Sequence, residues 1–478
     1  MAFLSRLRRD RGELVLGRCG PFPFSPLYRV PAQARSTHMY VIGVTGKGKS
    51  KLLEYCLFQD IRAGRGCVLI DPHGDLARDV LRLCLSRRAL SPADGRLIYF
   101  DPLRRDYVIP FNVLNRPGSP YEVAQQVVEA FRRTWPESLN EAPHFSNVAT
   151  AALMTLVAHR LTLMDMHRLL VDRGWREALL ERLDDAQVVS FFRERYDRWG
   201  RDAPLLREST LNKVAAFTFN PALRLVLGQR ENHLDLRRIM DEGRVLLVDL
   251  GRCDGETRRL VGSLLVTGLE QAAASRQSEA RRPCYAYIDE FQDFAANPGS
   301  VKSLAQILSE CRKFGLHLTL AHQTLSQLNE RMWGAIGNIQ TRVVFGVARQ
   351  DAEWFAREVG RVDTQAIKHE ARSETQPPVF APLAEQWEDW TRCLQELPAR
   401  QAFVSAPDGR VTRIWTISIP PYTATDEQVE ELCRASLRRY GVPGAVAERA
   451  LRARQGADGA DAVIPPFSEA VSSSVKSS

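Results

Sequence analysis

Eight consecutive residues, Gly43-Val44-Thr45-Gly46-Lys47-Gly48-Lys49-Ser50, constrain this chain more than any other feature in it. They spell GxxxxGK[ST]. The apolar run MYVI precedes them, and a stretch follows in which Leu52, Leu53, Cys56, Leu57 and Ile61 recur at helical spacing. A strand that feeds a glycine-rich turn and then a helix lets the loop's backbone N–H groups face inward, with the partial positive charge of the helix N-terminus behind them. The spacing therefore predicts a phosphate cradle. Gly43, Thr45, Gly46, Lys47, Gly48 and Lys51 line it, the Lys49 amine reaches the β- and γ-phosphates of a nucleoside triphosphate, and the Ser50 hydroxyl ligates Mg²⁺.

Such a loop sits in a parallel sheet, and the rest of the chain agrees. Short apolar runs at 39–44, 67–71, 97–101, 244–250, 284–289, 316–322 and 342–347 alternate with helical stretches. That alternation reads as a mostly parallel sheet with helices on both faces. Residues 121–135, 146–161, 164–183 and 188–199 carry helical periodicity with no strand run between them, so an all-helical insertion interrupts the sheet. Near the end, 401–406 and 410–417 flank Pro407-Asp408-Gly409, a hairpin signal. The division read from these patterns is an N-terminal segment (1–37), a first core part (38–118), the helical insertion (119–240), a second core part ending in the hairpin (241–420), a helical segment (421–455) and a small, polar tail (456–478) expected to be disordered.

A magnesium nucleotide needs a second anchor. Residues 285–288 (YAYI) lead into Asp289-Glu290. At the tip of a buried strand, Asp289 is suited to hold the metal and Glu290 to polarise a water as general base. Gln323 follows the run 316–322, where a polar side chain at a neighbouring strand tip can touch the γ-phosphate or its water. Asp71 and Asp75, in DPHGD, end another strand on the same side; a role in the metal or water network and a plain polar turn are both open. Arg312 precedes the run 316–322. Taken alone it is either a favourable charge at a helix end or a guanidinium offered to a neighbouring subunit. No NKxD occurs, so ATP is the expected nucleotide.

Composition narrows the class. The 478 residues are 44% hydrophobic and 26% charged, ordinary for a globular protein. No apolar run is long enough to cross a bilayer, and a cytoplasmic protein is expected. The nine cysteines form no CxxC pair, which argues against a zinc ribbon or disulfide frame. The net charge of +8 favours an acidic partner such as nucleic acid, although only eight of the 65 basic residues are lysine.

Taken together, GVTGKGKS, LIDPHGDL, YFDP with PFN, YIDEFQDF and LSECRKFGLHLTLAHQTLSQL resemble the FtsK/HerA group of ring-forming ATPases, and within it the ATPase domain of the TraG/TraD-like coupling proteins of conjugation and type IV secretion. The resemblance covers roughly residues 35–420. It implies a RecA-like P-loop NTPase fold and a hexameric ring that moves DNA with ATP. Lys49 and Ser50 match the first phosphate motif, Asp289 and Glu290 the second, Gln323 the glutamine of the following strand and Arg312 the arginine given in trans. Membrane-bound coupling proteins carry N-terminal transmembrane helices and this chain shows none, so a soluble DNA translocase is the expectation, with a relaxase, a secretion channel or a nuclease as possible partner. Two alternatives stand beside it: a HerA-like ATPase serving a nuclease in DNA end processing or defence, and a protein-secretion ATPase or nucleotide-gated scaffold that binds no DNA.

Overall fold

A computed structural model describes residues 12–135, 143–199, 203–277, 281–295, 308, 311–328, 330–365, 367–369 and 379–457. In chain order the strands are β1 (Leu14–Arg18), β2 (Leu27–Val30), β3 (Met39–Ile42), β4 (Gly66–Asp71), β5 (Leu97–Phe100), β6 (Tyr107–Val108), β7 (Val245–Asp249), β8 (Cys284–Ile288), β9 (Leu316–His322), β10 (Thr341–Val344), β11 (Ile367–His369), β12 (Val379–Phe380), β13 (Gln401–Ser405), β14 (Val411–Thr416) and β15 (Val442–Pro443). Eleven of them form one sheet in the order β2-β1-β14-β13-β10-β3-β9-β8-β4-β7-β5. From β10 to β5 every pairing is parallel; from β10 out to β2 every pairing is antiparallel.

All residues of β3, β4, β7, β8 and β9 are buried, which is why these strands read as unbroken apolar runs: helices cover both faces. One face packs on the helix Lys49–Arg62 through Leu52, Leu53, Cys56, Leu57 and Ile61, and on the helix Asp75–Ser86. The other packs on the helix Gly255–Ala274 and the helices between β6 and β7. All seven expected strands are present, and the hairpin turns at Gly409, whose φ of +75° suits glycine. It continues the sheet beyond β10 rather than standing apart.

Among the described residues every element between β6 and β7 is a helix, joined by loops, apart from one isolated bridge between Phe111 and Asn232. Its helices share the hydrophobic core of the sheet's second face, with Val123, Val127 and Phe131 of the helix Pro120–Thr134 lying in the same buried cluster as Val68, Ile70 and Val248. The helix Asp426–Tyr440 folds back over the β5 edge, where Ser436 Oγ accepts from Tyr99 N and donates to Leu97 O at 2.9 Å each. Two strands that the sequence reading did not anticipate, β1 and β2, extend the sheet beyond β14. No helix among the described residues is long and apolar enough to cross a membrane. Cys19, Cys56, Cys67, Cys84, Cys253, Cys284, Cys393 and Cys433 are free thiols. The expected tail, 456–478, starts within the last two residues of the helix Gly444–Ala457; the rest of it lies outside the described residues.

Candidate nucleotide site

The parallel strands all end at one edge, so the tips of β3, β9 and β8 lie side by side with β9 in the middle. That order brings three distant segments together: the loop after β3, Gln323 after β9, and Asp289-Glu290 after β8. The loop turns through Gly46 at φ +83° and Gly48 at φ +108°, values that L side chains rarely adopt. Gly43 is hemmed in from the next strand, since a Cβ there would lie 2.6 Å from Phe345 Cβ. Tyr287 of β8 donates to Asp60 Oδ2 at 2.6 Å, tying this strand to the helix that the loop opens.

Lys49 is buried, with 6% of its surface exposed. Its Nζ donates to Glu290 Oε1 at 2.8 Å and lies 4.0 Å from Asp289 Oδ1. Gln323 joins the same carboxylate: its Nε2 donates to Glu290 Oε1 at 2.9 Å, and its Oε1 accepts from Thr45 Oγ1 at 3.1 Å. Glu290 sits at φ +44°, a strained value for a non-glycine residue. Its backbone N–H donates to Asp289 Oδ1 at 3.1 Å.

Burial drives the Asp289 carboxyl up to about 6; Lys49 opposes this, and the neighbouring charges of Glu290 and Asp71 add to it. Glu290 goes the other way. Burial pushes it up, but the Lys49 charge and hydrogen bonds from Lys49, Gln292 and Gln323 outweigh that and hold it below the ordinary carboxylate value. Among the described residues no group of three metal-ligating side chains forms a complete metal site. The donor set fits Mg²⁺ all the same: a serine hydroxyl at the start of a helix and a buried carboxylate pressed by like charges suit an ion shared with substrate phosphates.

The remaining candidates divide. Ser50 is exposed in the first turn of its helix. The amine of Lys47 is turned away, donating to Leu397 O at 2.8 Å, while its carbonyl accepts from Arg400 N at 2.7 Å. The Lys51 amine is likewise held elsewhere, by Glu54, Asp79 and Tyr422, so these two lysines face the cradle with backbone only. Asp71 accepts from the backbone N–H groups of His73 and Ala77 at 3.0 and 2.8 Å and so shapes the entry to the next helix. Asp75 is exposed in that helix's first turn.

Arg312 lies on a short turn, Cys311–Phe314, before β9. It is exposed at the opposite edge of the sheet, beside Arg29 and Arg410. At about 3.3 Å per residue the length of β9 separates it from its own strand tip by roughly 20 Å.

Sequence reasoning passed over two features of the site. Gln292 Nε2 donates to Glu290 Oε2 at 2.7 Å. Beneath the tips, Tyr40 OH meets His322 Nε2 at 2.5 Å. Burial foremost, and then the Lys49 charge, push His322 down to about 3, so the imidazole is neutral and its Nε2 pairs with the Tyr40 hydroxyl in whichever tautomer is present. Tyr40 and His322 lie 282 residues apart, so only the strand order reveals that pair; Gln292 is two residues from Glu290, and their bond depends on how the chain turns after β8.

A parallel sheet with a GxxxxGKS loop on one strand, paired carboxylates two strands away and a glutamine between them defines a P-loop protein of the RecA-like type. Within that class, residues 283–392 match the family model described as the TraM recognition site of TraD and TraG, and the chain resembles the TraG/TraD-like coupling ATPases related to FtsK and HerA. Among solved structures, the unbound bacterial conjugative coupling protein TrwBΔN70 superposes with a TM-score of 0.64 at 17% identity, covering 87% of this chain and 91% of that one. TrwB in complex with ADP and Mg²⁺ gives 0.57 at 19% identity, covering 84% and 89%. VirB4 of Thermoanaerobacter pseudethanolicus gives 0.55 at 13% identity, covering 85% and 96%. No curated protein matches the chain in sequence.

Proposed function

We propose that this protein is an ATPase that moves DNA as a ring, in the manner of a conjugative coupling protein. The observation that carries the reading is the constellation of buried Lys49, Asp289 and Glu290 with half-buried Gln323 under the glycine loop. ATP seats its phosphates on the backbone of Gly43, Thr45, Gly46, Lys47, Gly48 and Lys51. Lys49 leaves Glu290 for the β- and γ-phosphates. Ser50 and Asp289 would hold Mg²⁺, which would supply charge neutralisation on the phosphates. Glu290, freed of Lys49, takes a proton from the attacking water, and Gln323 follows the γ-phosphate.

DNA as the cargo rests on the likeness to TrwB, a coupling protein by its description, and on the +8 charge. The segment matching the TraM recognition site supports a TraM-like protein as a further partner. Arg312, roughly a strand's length from its own cradle, serves a neighbouring subunit's nucleotide, and a homohexameric ring supplies that neighbour. The deciding experiment is ATP hydrolysis with and without DNA, on material sized by light scattering. Hydrolysis that DNA stimulates is expected. Hydrolysis indifferent to DNA would support the secretion-ATPase or scaffold reading, and co-purification with a nuclease the end-processing one.

A further inference from the structure

Gln292 lies two residues beyond Glu290 and is 8% exposed. A carboxylate only accepts hydrogen bonds, so the amide must turn its nitrogen to Glu290, as the 2.7 Å contact from Nε2 to Oε2 shows. This leaves Gln292 Oε1 facing elsewhere, and that atom is buried without a hydrogen-bond partner among the described residues. A buried amide oxygen with nothing to accept costs about 1–3 kcal/mol. Such an orphan beside a candidate general base is accounted for if something with an O–H occupies the space when substrate is bound.

We propose that Gln292 is a positioning residue for the hydrolytic step: its Nε2 fixes the rotamer of Glu290, and its Oε1 accepts a hydrogen bond from the attacking water. This rests on the ATPase reading above. Lys49 and Gln323 share Glu290 Oε1 and both are drawn to the γ-phosphate when ATP binds, whereas Gln292 holds the other oxygen, Oε2. It is thus the donor that remains, and it keeps the carboxylate aimed while the other two depart. The water then gives one hydrogen bond to Glu290 and the other to Gln292. Its oxygen bonds to the γ-phosphorus as the bond from phosphorus to the β–γ bridging oxygen breaks, the proton passes to Glu290, and ADP and phosphate leave.

The test is Gln292→Met, of similar length with neither donor nor acceptor, beside Gln292→Asn, Glu290→Gln and wild type. Binding of a fluorescent ATP analogue, kcat, KM and the pH–rate profile are measured. For Gln292→Met we expect nucleotide affinity within about twofold of wild type, kcat lower by about 10–100-fold, and the acid limb of the profile moved to higher pH, because Glu290 loses a donor that favours its charged form. Gln292→Asn should recover part of kcat. A folded Gln292→Met protein with wild-type kcat and an unmoved acid limb would overturn the proposal. Equal loss of affinity and kcat would overturn it too, by showing a structural role. If wild type hydrolyses ATP and Glu290→Gln does not, either failure belongs to Gln292 alone; a wild type that never hydrolyses, or an active Glu290→Gln, overturns the ATPase reading instead.

Discussion

Asp289 offers a perturbation whose sign follows from the structure. Burial and the charges of Glu290 and Asp71 lift its carboxyl from 3.8 to about 6. Between these values the folded protein holds a proton that the unfolded chain has released. The group's contribution to stability is therefore full below the unfolded value and is lost as pH rises through the folded one. At neutral pH the ionised Asp289 costs the empty protein up to about 3 kcal/mol. Asparagine mimics the neutral acid and can still accept from the Glu290 N–H. Asp289→Asn is thus expected to be more stable than wild type in metal- and nucleotide-free buffer, by up to about 3 kcal/mol near pH 8, with the difference vanishing near pH 4. Thermal melts of both proteins across that range measure it. Adding Mg²⁺ and ATP should reverse the order: a ligand at about 100 times its Kd stabilises wild type by about 2.7 kcal/mol, and the variant lacks the metal ligand. A stability difference that does not change with pH, or a variant less stable than wild type near pH 8, would refute the reasoning.

Other outcomes are expected from the same geometry. Lys49→Ala should abolish hydrolysis, and because it strands two buried carboxylates it should also lower the stability of the empty protein at neutral pH by about 3–5 kcal/mol; a variant with wild-type turnover would sink the phosphate-loop assignment. Glu290→Gln should bind Mg-ATP and turn it over slowly, as a nucleotide-trapping experiment would show. Arg312→Ala should bind ATP normally and fail to hydrolyse it, and mixing it with Lys49→Ala should restore activity, since a Lys49→Ala neighbour lends its intact arginine; mixed rings that stay inactive would remove the trans assignment. Tyr40→Phe deprives the buried His322 Nε2 of its hydrogen-bond partner and should destabilise by about 1–3 kcal/mol, read by chemical denaturation.

The parallel strands, the glycine loop and Asp289-Glu290 were legible in the sequence because each is encoded locally. A strand buried on both faces must be apolar along its length, as 67–70 and 245–248 are before each ends in an aspartate. A loop that turns through positive φ needs glycine at 46 and 48. The hairpin at 401–416 announced itself through Asp408-Gly409 for the same reason. β1 and β2 were not legible, being short and, in β2, half exposed at the sheet's edge, so their pattern carries little periodicity.

What only the tertiary structure decided is adjacency. The sequence places Lys49 and Glu290 241 residues apart and says nothing of which strand lies between theirs. The order β3-β9-β8 makes them an ion pair and sets Gln323 against Glu290 and Thr45, while Gln292 joins the cluster through the other oxygen of Glu290. That order also buries the Lys49 side chain against the carboxylates of Glu290 and Asp289. Lys47 and Lys51 show the converse: the motif names them, but their amines are claimed by Leu397, Glu54, Asp79 and Tyr422. Residue type and spacing fix which groups a phosphate loop offers. Which of those side chains remain free to act is set by the charges and carbonyls that distant segments bring beside them, because hydrogen bonds and ion pairs act over a few ångströms of space whatever the separation along the chain.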